Sequence, residues 1–75
     1  MDIRRQLGLN IQRLRREKGW SQEDLSFESG IHRTYISGIE RGVRNPTLTI
    51  VGKLAKTLDV PPGTLLDPAP KKTRQ

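Results

Sequence analysis

The sequence predicts an all-α domain of five helices. Two observations carry that prediction. Apolar residues recur at steps of three and four, the spacing that lines one face of a helix. Each such stretch is closed by a glycine or proline or opened by a capping side chain.

The first helix is read over Ile3–Lys18. Ile3, Leu7, Ile11 and Leu14 make one apolar stripe, and Arg4, Arg5, Gln6, Gln12, Arg13 and Arg16 cover the other faces. Gly8 weakens its interior by about 1 kcal/mol relative to alanine. Gly19 is the expected left-handed residue beyond its end.

Ser21 opens the second helix. Ser21 and Asp24 have the spacing of a capping box, and Trp20 and Leu25 that of a hydrophobic staple. Leu25 faces the core, with Phe27 and Ser29 flanking it, and Gly30 stops the helix. Ile31 and His32 lead into a third helix, Arg33–Arg41. Its Ile36 and Ile39 point inward. At about 100° per residue, Thr34, Ser37, Gly38 and Arg41 fall on the opposite face, with Arg33 and Tyr35 on its flanks.

Thr47 caps a fourth helix, Leu48–Leu58, whose buried stripe is Leu48, Val51, Leu54, Ala55 and Leu58; Gly52 is unhelpful there. Val60, Pro61-Pro62 and Leu65-Leu66 mark a short fifth helix with proline in its first turn. Residues 1–66 form the domain. Residues 67–75, DPAPKKTRQ, have almost no apolar content and are expected to be a disordered basic tail.

Composition narrows the chemistry. Seventy-five residues carry a formal charge of +6 and no cysteine. A disulfide, a thiolate metal site and a cysteine nucleophile are excluded. No apolar run approaches the roughly 20 residues of a membrane span, so a cytoplasmic protein is expected. Part of the charge lies in the tail. Over residues 1–66, eleven cations face seven anions. An excess of cations suits a polyanionic partner, by attraction and counterion release.

An enzyme is hard to build from this inventory. There is one histidine, no metal-ligand cluster and no glycine-rich phosphate loop, so no catalytic residue, metal or cofactor is expected. His32 reads as a cap or solvated turn residue, with phosphate contact as the alternative.

The stretch Ser21–Arg44 is the specific signal. A short helix, a glycine, a β-branched residue and a second short helix form a helix-turn-helix, which projects its second helix. The exposed types on that helix suit base edges. Arginine bonds guanine N7 and O6 bidentately, and threonine and serine bond donors or acceptors. The start of the second helix, at Gln22, can hold a phosphate. Tyr35, Arg41, Arg44 and Asn45 surround the same surface as phosphate donors. A glycine at 38 on an exposed face suggests close approach of another surface. Glu40 lies toward the buried side and needs a cationic partner. Arg15 is the candidate and Arg13 the alternative.

The chain resembles the Xre-type, Cro- and phage-repressor-like DNA-binding domains. The motifs IQRLR, SQEDL, RTYISGIERG, RNPTL and LAKTL occur in register over residues 7–66. RTYISGIERGVRNPTL is especially similar to restriction–modification controller proteins. The resemblance implies a lambda-repressor-like five-helix domain that binds double-stranded DNA as a homodimer on a palindromic operator. Matched position by position, Arg33, Thr34 and Ser37 are the base-reading set. Gln22, Tyr35, Arg41, Arg44 and Asn45 are the backbone set, and Arg15 and Glu40 the buried ion pair. Val60, Leu65 and Leu66 fall in the family's dimer region. Gly38 stands where some members carry a longer, base-contacting residue. Contact with RNA polymerase is a further possibility under this reading. The alternative function is an antitoxin-type protein-binding module with secondary DNA binding.

Overall fold

A computed structural model of the chain describes residues 2–68. Its helices are α1 (Ile3–Glu17), α2 (Gln22–Ser29), α3 (Arg33–Glu40), α4 (Leu48–Leu58) and α5 (Pro62–Leu66), with no strand among the described residues. α1 lies against α3, α4 and α5, while α2 packs on α3 and α4. Most of the expected tail lies outside the described residues. No described helix is long and apolar enough to cross a membrane.

Local chemistry sets the helix ends. Ser21 Oγ accepts from Asp24 N–H at 3.0 Å, and Asp24 Oδ2 accepts from Ser21 N–H at 2.8 Å, completing the capping box. Thr47 Oγ1 accepts from Ile50 N–H at 3.2 Å. Asp2 caps α1 through Arg4 N–H, and the Arg4 side chain holds its carboxyl below the usual aspartate range. Two helices run out through paired closing bonds with a left-handed glycine. After α1, Gly19 N–H bonds Arg16 O and Trp20 N–H bonds Arg15 O; after α3, Gly42 and Val43 repeat the pattern on Ile39 O and Gly38 O.

The core is one cluster. Ile11, Leu25, Ile36, Ile39, Leu54 and Leu65 are fully enclosed in it. Each such side chain contributes about 1.5–3 kcal/mol of burial. Two residues expected in the core and one expected to flank it lie outside it. Ile3 and Leu48 are 56% and 84% exposed, because each opens its helix one turn before the core begins. Phe27 is 85% exposed. It follows Leu25 by two residues, about 200° around the helix, so α2 turns it away from the core.

Polar residues of α1 fasten the other helices. Asn10 is fully enclosed and donates through Nδ2 to Leu65 O at 2.9 Å and Asp67 O at 2.7 Å. Gln6 Nε2 donates to Leu66 O at 2.6 Å, so two amides of α1 close the C-terminal end of α5. Gly8 has a packing reason too. A Cβ there would stand 2.4 Å from Ile39 O and 2.6 Å from Glu40 O.

Gly52 is the contrary case. A Cβ at that position would meet nothing within 4 Å. Replacing Gly52 with alanine is expected to raise stability by about 1 kcal/mol through helix propensity alone. Thermal denaturation should show a rise of roughly 4–8 °C; an unchanged or lowered midpoint would contradict it.

Candidate nucleic-acid interface

The turn between α2 and α3 is held by residues of its own. Gly30 takes a left-handed φ of 74°, and its N–H bonds Ser26 O at 2.8 Å. Ser26 Oγ donates to Ile31 O at 2.5 Å, and Ser29 Oγ accepts from Ile31 N–H at 3.2 Å. Ile31 enters the core between them. No spacing rule marks these serines, because their partner Ile31 is brought to them only by the turn.

A buried charge pair then ties this unit to α1. Arg15 Nε donates to Glu40 Oε2 at 2.8 Å and Nη2 to Oε1 at 3.0 Å. Both side chains are more than nine-tenths buried. Hydrogen bonding to the Glu40 carboxylate raises the Arg15 guanidinium above the ordinary arginine range, against the lowering effect of burial and with a smaller contribution from the Glu40 charge. Arg15 Nη1 also donates to Trp20 O at 2.7 Å, holding the turn that precedes α2. Arg13 is engaged elsewhere, with Glu17 and Asn10.

Gln22 joins the same network. Its Nε2 donates to Glu40 Oε1 at 2.9 Å. The amide is thereby held at the first residue of α2, with one N–H and its carbonyl still uncommitted. Arg15, Ser21, Gln22, Glu23 and Arg33 line an open groove of 440 Å³ between α2 and α3. The N-terminal end of α3 borders it, where His32 occupies the cap position without a side-chain hydrogen bond.

The outer side of α3 presents Arg33, Thr34 and Arg41 as exposed residues, while Ser37 and Tyr35 are half-buried. Arg41 Nε donates to Ser37 O at 3.3 Å, so this arginine lies back along the helix. Gly38 departs from the expectation of an exposed position. It is buried, and the surface that covers it is the chain's own Arg44 side chain. Arg44 continues over the Tyr35 ring, its guanidinium carbon 5.3 Å from the ring centre.

Two expected positions lie elsewhere. Asn45 borders a second cleft, of 160 Å³, with Ile3, Leu7, Leu48 and Leu66. Leu65 is fully enclosed in the core, so it has no surface to offer a second subunit. The α1–α5 contact through Asn10 draws it inward, while Val60 and Leu66 stay half-buried at the surface. No group of three or more potential metal ligands occurs among the described residues.

Comparison with known proteins agrees with this fold. The helix-turn-helix family model matches residues 11–65. The control protein C.BamHI of Bacillus amyloliquefaciens is 48% identical over 67 residues, covering 88% of this chain and 83% of its own. The restriction–modification controller protein C.AhdI of Aeromonas hydrophila superposes with a TM-score of 0.79 at 45% identity, over 83% of this chain and 94% of that one. The controller protein C.Esp1396I, solved as a tetramer with its natural 35-base-pair operator, superposes at 0.78 with 38% identity, over 87% and 86% of the two chains. The chain belongs to the helix-turn-helix family of DNA-binding transcriptional regulators.

Proposed function

We propose that this regulator acts in the cytoplasm as a homodimer on a palindromic operator, with one α3 in the major groove of each half-site. The observation that carries the reading is the presentation of α3. Its inner side is locked by Ile36, Ile39 and the Arg15–Glu40 pair, while Arg33 and Thr34 stand free on its outer side. A rigid helix with free arginine and threonine suits base edges better than a mobile loop does.

In this reading Arg33, Thr34 and Ser37 contact bases. Gln22, Tyr35, Arg41 and Arg44 contact the backbone and set register, while Asn45, expected with them, borders the second cleft instead. Gln22 and Arg33 border one groove, which suits a phosphate at the α2 N-terminus beside a base contact from α3. The second subunit would sit on the cleft between α1, α4 and α5, where Ile3, Leu48 and Leu66 leave apolar surface uncovered. Leu66 lines this cleft with Leu48 and Ile3, which would take the part that the enclosed Leu65 cannot, and the half-buried Val60 would contact the partner outside it. Half-sites would lie about 34 Å apart. Likeness to C.BamHI and C.AhdI supports a controller of restriction–modification genes, with RNA polymerase as a further partner when the operator adjoins a promoter.

Selection of bound duplexes from a random pool tests the whole reading. A recovered palindrome is the expected result, and no enrichment would overturn it. On the recovered site, Arg33→Ala should lose about 1–3 kcal/mol of discrimination at one base pair. Equal weakening on the recovered and scrambled duplexes would remove Arg33 from the base-reading set.

A further inference from the structure

Gly38 is buried on the outer side of α3, beneath Arg44, and its backbone does not explain it. The described glycines with positive φ are Gly19, Gly30 and Gly42; Gly38 is helical, a setting in which alanine is intrinsically better. Space explains it. A Cβ at 38 would lie 2.6 Å from Arg44 Cγ, 3.2 Å from Nε and 3.4 Å from Cδ. Arg44 therefore runs along the notch left by the missing side chain, and its guanidinium ends over Tyr35. The backbone aims it there. Val43 N–H bonds Gly38 O at 3.0 Å, which turns the chain back over α3 directly before Arg44.

From this geometry we propose that Gly38 is a positioning residue for DNA binding, acting through Arg44. The notch and the Tyr35 ring hold the arginine against α3 before DNA arrives. A free arginine must freeze several rotatable bonds when it makes a contact, and a seated one has already lost most of that freedom. The cation over the ring adds an attraction that a lone loop arginine lacks. The inference rests on the proposed DNA reading for its consequence, and on the free protein for its geometry.

The test combines Gly38→Ala, Arg44→Ala and the double variant, each in the full chain, on the duplex recovered by selection. Arg44→Ala should weaken binding about tenfold, the scale of one charge-assisted contact. Gly38→Ala should weaken it several-fold while the protein stays folded, because the side chain it displaces is exposed. The double variant should bind no worse than Arg44→Ala alone. Multiplied losses would mean that the new methyl meets DNA directly, and undiminished binding by Gly38→Ala would mean that the notch has no role; either overturns the proposal. So would an unfolded Gly38→Ala protein, since the seat would then be structural. In the free protein, the Arg44 side-chain protons should carry an upfield ring-current shift that Gly38→Ala abolishes. If selection recovers no duplex, the DNA reading fails and the positioning role fails with it. The ring-current shift would still report the seat, so a wrong function and a wrong geometry are separable.

Discussion

Replacing Glu40 with alanine is expected to destabilise the fold by about 3–5 kcal/mol, the cost of leaving one member of a buried pair without its counter-charge. Glu40 Oε2 takes Arg15 Nε, and Oε1 takes both Arg15 Nη2 and Gln22 Nε2. Removing the carboxylate leaves a buried guanidinium without its counter-charge. It also frees Gln22 and loosens the α1–α2 turn that Arg15 holds through Trp20 O. A domain of this size has roughly 0.05–0.15 kcal/mol of stability per residue. The substitution therefore removes a large share of the total. The midpoint of urea denaturation is the measurement, and a shift near zero would show that the pair is solvated. A second comparison separates pairing from mere occupancy. Changing Arg15 to methionine and Glu40 to leucine together should cost much less than Glu40→Ala, because no unpaired charge is left behind.

Much of the fold was legible in the chain because its helix boundaries are chemical. Ser21 with Asp24, Thr47, Gly19, Gly30 and Gly42 each act within a few residues of where they stand. The pairing of Arg15 with Glu40 was readable for a different reason. A lone acid turned toward the buried side demands a cation; Arg15 on the first helix is the candidate, and the resemblance matches the same pair. What periodicity could not supply is the extent of the core. Ile3 and Leu48 have helical spacing with their neighbours, yet their helices begin before the core does. The roles of Asn10, Ser26 and Gly38 were hidden for a shared reason. Each depends on a partner brought in by the turn of the chain: Leu65 O, Ile31 O and the Arg44 side chain. Leu65 shows the same effect. Its place in the fifth helix suggested a subunit contact, but α1 claims it for the core.

Gly8→Ala is expected to destabilise the protein by about 3 kcal/mol, at the upper end of the cost of overpacking. The same change at Gly52 should stabilise it. Helix propensity favours alanine equally at both positions, by about 1 kcal/mol, so the difference in sign isolates what surrounds each one. Around Gly52 there is nothing within 4 Å. Around Gly8 there are the carbonyl oxygens of Ile39 and Glu40, at 2.4 Å and 2.6 Å from the added carbon. These are backbone atoms at the end of α3 and cannot rotate aside as a side chain does. The one relief is for α1 and α3 to separate. Separation would stretch the Arg15–Glu40 pair and the bond from Gln12 Nε2 to Glu40 O, which cross the same interface. The loss at Gly8 should therefore couple to the loss at Glu40. In Gly8→Ala/Glu40→Ala the combined destabilisation should fall short of the sum of the two single changes, because each already opens the contact the other disrupts. Strict additivity in denaturation midpoints would show that the glycine contact and the ion pair stabilise the α1–α3 crossing independently.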